Sequence, residues 1–255
     1  MVVILSPSKT MAAAETETLH LPFTSPDFIH EATEISKTIG QLSKEELAKL
    51  MSLSDKLTEQ TWQRMQTLHS RQAKGTQPAL FSYTGEVYAG LHQVPLTEDD
   101  ISYAQNPLRI LSAMYGLVRP LDTILPYRLE MMTKMAISGY KNLYAFWKDK
   151  ITHQLNDAIK QQKSQYLVNL ASDEYTKAIH LKQINASVLT FDFFEMRNGV
   201  KKFVSFNAKR ARGLMASYII KNKIIHPDQL KTFSAEGYQY VPSDSQENHY
   251  TFTKV

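Results

Sequence analysis

The sequence predicts an α/β or α+β fold: a single domain over residues 1–255, with a central mixed sheet, helices around it and an antiparallel hairpin. Three observations carry this. Short apolar runs of strand length, Val2–Leu5 and Tyr166–Leu170, alternate with longer stretches of helical period, the pattern of parallel strands joined by helices. Asn198-Gly199, flanked by alternating segments at 187–196 and 200–206, is the strongest two-residue hairpin signal and adds antiparallel pairing. A length of 255 residues with 43% hydrophobic content suffices for a sizeable core, and no repeat, low-complexity tract or linker divides it.

Taken in order, Val2–Leu5 reads as a buried strand. Pro7 cannot donate to a ladder and takes Ser6-Pro7-Ser8-Lys9-Thr10 out of the sheet. Residues 11–26, rich in Thr and Pro, read as loop. Helices are expected over 27–38, 44–52 and 55–70, the second opened by a capping box of Ser43 with Glu46. Residues 79–83 read as a strand, which Thr84-Gly85 turns into a short helix. Thr97, followed by Glu98, Asp99 and Asp100, marks another helix start. The stretch 108–120 reads either as two helical pieces joined at Gly116 or as a core helix ending there. A helix over 142–161 turns Phe146 and Trp147 toward the core. Tyr166–Leu170 is a strand, and Ser172 caps the helix after it. A helix over 207–222 and strands near 238–241 and 249–253 close the chain.

Composition excludes several chemistries. With no cysteine there are no disulfides, thiolate nucleophiles, Cys-ligated zinc sites or iron–sulfur clusters. The opening residues lack the basic start and long apolar run of a signal peptide, and no window approaches a membrane span, so a soluble, cytoplasmic protein without a membrane partner is expected. The eight His are scattered without an H-x-x-x-H pair, and Glu17-Thr18-Leu19-His20 is a solitary E-x-x-H. Asp192 and Glu195 fall on opposite faces of a strand. No metal site and no cofactor are expected. The net charge of +4 conceals a split: residues 1–106 carry 8 basic and 13 acidic side chains, residues 107–255 carry 21 and 12. Such asymmetry suits either a polyanion-facing surface or an uneven solvated one.

Four segments concentrate groups that bind or react. In Phe206-Asn207-Ala208-Lys209-Arg210-Ala211-Arg212, three cations crowd the first turns of a helix whose Ala211, Leu214, Met215, Tyr218 and Ile219 form an apolar stripe. The helix dipole disfavours cations there, so acidic neighbours or an anionic ligand must offset them. Ser6, Ser8, Lys9 and Thr10 stand where a buried strand ends, a common setting for a phosphate or oxyanion, although the glycines of a Walker loop are missing. Asp173, Glu174, Tyr175 and Lys177 follow the strand at 166–170 and offer candidate proton-transfer groups, or else complement a helix dipole. Arg109, Gly116 and Arg119 belong to the 108–120 stretch, and a helix-hairpin-helix there would offer backbone N–H groups to a DNA phosphate. Arg128 adds a cation beside Tyr127, free for a ligand or paired with Glu130.

Taken together, SPSKT, YTGEVYAGL, NPLRILSAMYGLVRPLD with PYRLEM, NLASDEYTKAI and FNAKRARGLMASYII resemble the YaaA family of peroxide stress proteins over essentially the whole chain. Ser8 departs from the commonest family version, which has Ala there, and Lys9 stays in register. The resemblance implies a cytosolic response to hydrogen peroxide that lowers unincorporated iron, together with a positively charged cleft, a helix-hairpin-helix falling on 108–122 and double-stranded DNA binding. On this reading Lys9, Arg109, Arg119, Arg128, Lys177, Lys209, Arg210 and Arg212 line one basic cleft and neutralise backbone phosphates. The alternative is an enzyme acting on a nucleotide or nucleic acid, its phosphates held by Lys9 with Lys209, Arg210 and Arg212, and its proton transfer by Asp173, Glu174 or Tyr175. Direct iron sequestration is a third and least supported reading.

Overall fold

The computed structural model describes residues 1–11, 19–69 and 76–254. Glu17 and Thr18 of the E-x-x-H therefore lie outside the described residues. Val2–Leu5 forms strand β1, with all four side chains buried, as a strand covered on both faces requires. Helices α1 (Ile29–Gly40), α2 (Lys44–Met51) and α3 (Asp55–His69) follow. The Glu46 backbone N–H donates to Ser43 Oγ at 3.1 Å and the Ser43 N–H to the Glu46 carboxylate at 2.8 Å. This reciprocal cap starts α2 where the sequence places it and contributes about 1 kcal/mol.

Strand β2 (Gln77–Pro78) leads into α4 (Ala79–Ser82), α5 (Glu86–Leu91) and α6 (Glu98–Ala104). Residues 79–82, expected as strand, are a helical turn. Pro78 holds φ at −57°, and the Ser82 hydroxyl folds back onto the Pro78 and Gln77 carbonyls at 2.9 and 3.2 Å, a local bond that closes the turn straight after the short β2. Thr97 caps α6 through a capping box with Asp100, as its sequence suggests.

Residues 108–118 depart furthest from what their sequence predicts. β3 (Leu108–Ser112) and β4 (Gly116–Val118) form an antiparallel hairpin, so residues 108–118 make neither two helical pieces nor a core helix, and the helix-hairpin-helix expected on 108–122 is not there. The apolar run is too short for its period to separate helix from strand, and its place beside β1 decides the matter. Gly116 has φ +69°, and a Cβ on it would lie 2.6 Å from the Trp147 ring. That indole N–H donates to the Ala113 carbonyl at 2.9 Å, so the glycine serves a tight turn under a buried aromatic.

β5 (Thr123–Ile124) pairs with β2 in a small second sheet. The chain continues through α7 (Leu143–Gln161), β6 (Tyr166–Leu170), α8 (Asp173–Thr176), β7 (Ser187–Arg197), β8 (Val200–Lys202), α9 (Ser205–Lys221), β9 (Tyr238–Tyr240) and β10 (His249–Lys254). Asn198 and Gly199 have φ of +53° and +74°, the double positive that the hairpin turn needs. β8 is shorter than expected because α9 already begins at Ser205.

The main sheet is mixed and eight-stranded, in the order β4-β3-β1-β6-β7-β10-β9 with β8 on β7. Five strands, β3, β1, β6, β7 and β10, run parallel, and β4, β8 and β9 are antiparallel additions. Leu5 stands opposite both Ile110 and Leu170, so β1 and β6 end side by side. Phe146 and Trp147 are buried against this core. Among the described residues no helix is long and apolar enough to cross a membrane.

Candidate functional site

Parallel strands that end in register deliver their following loops to one place, and here those loops are the ones rich in polar groups. After β1, the Ser6 hydroxyl accepts the Ser172 backbone N–H at 2.8 Å and donates to Ser172 Oγ at 3.2 Å. Ser172 precedes α8 but caps nothing with its side chain; its hydroxyl ties the two loops together. The Tyr88 phenol donates to the Ser6 carbonyl at 3.2 Å, holding α5 beneath them. Ser8 accepts the Thr10 N–H at 3.2 Å, and the Thr84 hydroxyl donates to Thr10 Oγ1 at 2.9 Å. Gly85, at φ +98°, would put a Cβ 3.0 Å from Ser8 Oγ, so a larger residue would push the two loops apart.

The start of α9 reaches the same place through a close helix crossing. A Cβ on Gly213 would fall 1.7 Å from the Val87 carbonyl oxygen, and one on Gly90 would fall 2.2 Å from that of Arg210. The backbones of α5 and α9 thus touch at two glycines. Their sequence signal was present, as isolated glycines inside YAGL and ARGL helical patterns.

Between these elements lies a cavity of about 480 Å³ whose wall includes Ser6, Lys9, Glu174, Tyr175, Lys209 and Arg212, with Phe206 among the residues lining it. Lys9 Nζ stands 2.6 Å from Glu130 Oε2. Lys209 and Arg212 have no hydrogen-bond or ion-pair partner among the described residues. Burial pushes the Arg212 guanidinium below its ordinary value, opposed by the charges of Asp173 and Asp192. Val204 precedes α9 without a side-chain cap, so the first N–H groups of a 17-residue helix are left without a side-chain acceptor beside those cations.

Glu174 is half-buried, and its Oε1 is buried with no hydrogen-bond partner. Burial raises its carboxyl above the usual range and Glu130 adds to this, while the backbone N–H of Met132 and the charge of Lys9 pull the other way. Burial holds the Tyr175 phenol well above its normal value, so it stays a proton donor. Asp173 is exposed, outside the cavity wall, and acts on Arg212 only through its charge.

The remaining predicted residues do not gather here. Arg109 is buried and donates through Nη1 to the carbonyls of Asn106, Leu108 and Gln105 at 2.8, 2.8 and 3.2 Å. Burial, then the charge of Arg119, pushes it down to about 10. Arg119 is tied to the buried Asp122 at 3.1 Å and to Asp27 at 3.5 Å. Arg210 pairs with Glu236 at 2.7 Å. Arg128 donates to the Lys9 carbonyl at 3.3 Å rather than pairing with Glu130, which takes Lys9 instead. Lys177 lines a different and larger depression of about 850 Å³ together with Lys141, Lys148 and Lys182, and no acidic residue is among its described lining. The one basic cleft expected from the sequence is therefore distributed over several sites. Among the described residues no group of three His, Asp or Glu stands close enough to share a metal ion.

A family profile described as "Peroxide stress protein YaaA" matches residues 1–244. A UPF0246 protein of Aliivibrio fischeri is 43% identical over 246 residues, covering 96% of this chain and 95% of its own. Another, from Saccharophagus degradans, is 40% identical over 255 residues, covering 100% of this chain and 99% of its own. The strand-end loops, the α5–α9 crossing and the start of α9 all fall within the matched span, and on these grounds the chain belongs to the YaaA family of peroxide stress proteins.

Proposed function

We propose that the protein serves peroxide stress by holding a phosphate-bearing ligand, a nucleotide or a segment of nucleic acid, in the cavity between the β1 and β6 loops and α9. One observation carries this: Lys209 and Arg212 stand unpaired at the uncapped start of α9, in the same cavity wall as Lys9. Lys209 and Arg212 lie one and two turns into the helix, and the free N–H groups of its first turn suit the same anion. Glu174, with an unpartnered oxygen beside these cations, is the group assigned to proton transfer at the bound ligand, and Tyr175 is a hydrogen-bond donor to it. Limiting unincorporated iron and oxidative damage is the cellular outcome proposed for this binding.

A second reading has double-stranded DNA docking by its backbone on the depression of Lys141, Lys148, Lys177 and Lys182, favoured by four cations with no acid among its described lining. Titrating nucleotides and random duplex DNA at several salt concentrations tests both. The cavity reading expects nucleotide affinity to collapse in Lys209→Glu/Arg212→Glu. The DNA reading expects a steep salt dependence that Lys148→Glu/Lys177→Glu flattens. Nucleotide binding indifferent to the first pair overturns the cavity reading, and a flat salt response overturns the second.

A further inference from the structure

A second cavity, of about 610 Å³, shares the Lys9 side chain as a wall with the first. Its other cations are Lys49, Arg128 and Lys134. Lys49 and Lys134 are exposed and have no acidic partner among the described residues. Arg128 lines this cavity too; its Nη1 donates to the Lys9 carbonyl and its Nε is buried without an acceptor, a costly state for a guanidinium N–H. The sole acid among the described residues of this wall, Glu130, is already taken by Lys9. At the first cavity Phe206 leaves 59% of its surface exposed, an apolar ring beside unpaired cations. That combination accepts a nucleobase on the ring while its phosphate is held nearby. A diphosphate would concentrate its charge in one cavity and leave the cations of the other unanswered.

Resting on the phosphate-site reading above, we propose that the two cavities form one site for a ligand with two phosphate groups separated by a nucleoside. One phosphate sits at Lys209 and Arg212, the other at Lys49, Arg128 and Lys134, Lys9 stands between them, and the base lies against Phe206. A nucleoside 3′,5′-bisphosphate and a 5′-phosphorylated strand share this chemistry.

Calorimetric titration of the full chain with 5′-AMP, ADP, adenosine 3′,5′-bisphosphate and 5′-phosphorylated oligo(dA) tests it. The bisphosphate is expected to bind about tenfold more tightly than 5′-AMP, a gain ADP does not share. In Lys49→Gln/Lys134→Gln the ratio of bisphosphate to monophosphate affinity falls to about one, whereas Lys209→Gln/Arg212→Gln weakens both ligands and keeps the ratio. Lys49, Lys134 and Lys209 are exposed and Arg212 is part-buried, and a thermal melt of each variant verifies its fold. Equal affinity for bisphosphate and 5′-AMP, or a ratio retained in Lys49→Gln/Lys134→Gln, overturns the two-cavity site while leaving the first cavity's reading intact. Absence of binding by either nucleotide overturns both. Oligo(dA) binding more tightly than the bisphosphate assigns the ligand to a strand, and equal affinity assigns it to the free nucleotide.

Discussion

At the β3–β4 side of the sheet, Arg109 directs its guanidinium at three backbone carbonyls and Arg119 is held by two aspartates, whereas at the start of α9 Lys209 and Arg212 meet no partner among the described residues. Both groups come from segments that look alike in sequence, cations set among apolar residues. Their surroundings differ. Arg109 lies on a strand buried at every position, where an unbonded guanidinium would be too costly to keep. Lys209 and Arg212 lie in the second and third turns of a helix that borders a cavity, where solvent or a ligand can answer them. A cation that the fold has already neutralised holds the fold together, and one it leaves unanswered is available for binding.

The largest effect is expected at the crossing that creates the cavity. Gly213→Ala would ordinarily favour a helix, but here the added methyl meets the Val87 carbonyl, and a loss of about 3 kcal/mol in a chemical-denaturation midpoint analysis is expected. A neutral or stabilising result would mean that α5 and α9 do not touch there. Next, Arg109→Met leaves three carbonyls without their donor and should cost about 2 kcal/mol of stability, with ligand affinity unchanged. Lys209→Gln with Arg212→Gln should do the reverse: thermal stability close to wild type, and affinity for a phosphate ligand lower by about tenfold, as expected for lost charge-assisted bonds. If the two pairs of outcomes were exchanged, the division between structural and binding cations would fall.

The smallest effect concerns Glu174. Its carboxyl is raised in the folded chain, so the folded state holds that proton more tightly than the unfolded one. The resulting stabilisation is present below the ordinary carboxylate range and is lost as pH rises through the raised value. Glu174→Gln should therefore match wild type in acid and become slightly more stable than it above that window. Melting temperatures followed across pH check this, and a Glu174→Gln variant that is less stable at neutral pH would reverse the sign.

Much of this was legible in the chain. The Ser43–Glu46 and Thr97–Asp100 caps, the Asn198-Gly199 turn and the strands at 2–5 and 166–170 are local matters, set by hydrogen bonds and dihedrals within a few residues. The polar strand-end loops were recognisable too, because a proline or a short apolar run marks where a strand must stop. Residues 79–82 and 108–118 were not legible: a short apolar run carries no period, and Pro78 or Gly116 punctuates helix and strand alike. Neither was the pairing of Glu130 with Lys9 rather than with its near neighbour Arg128, since sequence distance says nothing about which loops the sheet brings together.

What the sequence determined by itself was the class of fold, the family and the supply of cations and carboxylates, because propensity, capping and apolar patterning act over short distances. Only the tertiary structure decided which cations remain free. That choice depends on the parallel register that ends β1 beside β6 and on the two glycines that let α5 and α9 meet backbone to backbone. A charge acts through whatever stands within a few ångströms of it, and those neighbours come from segments far apart along the chain.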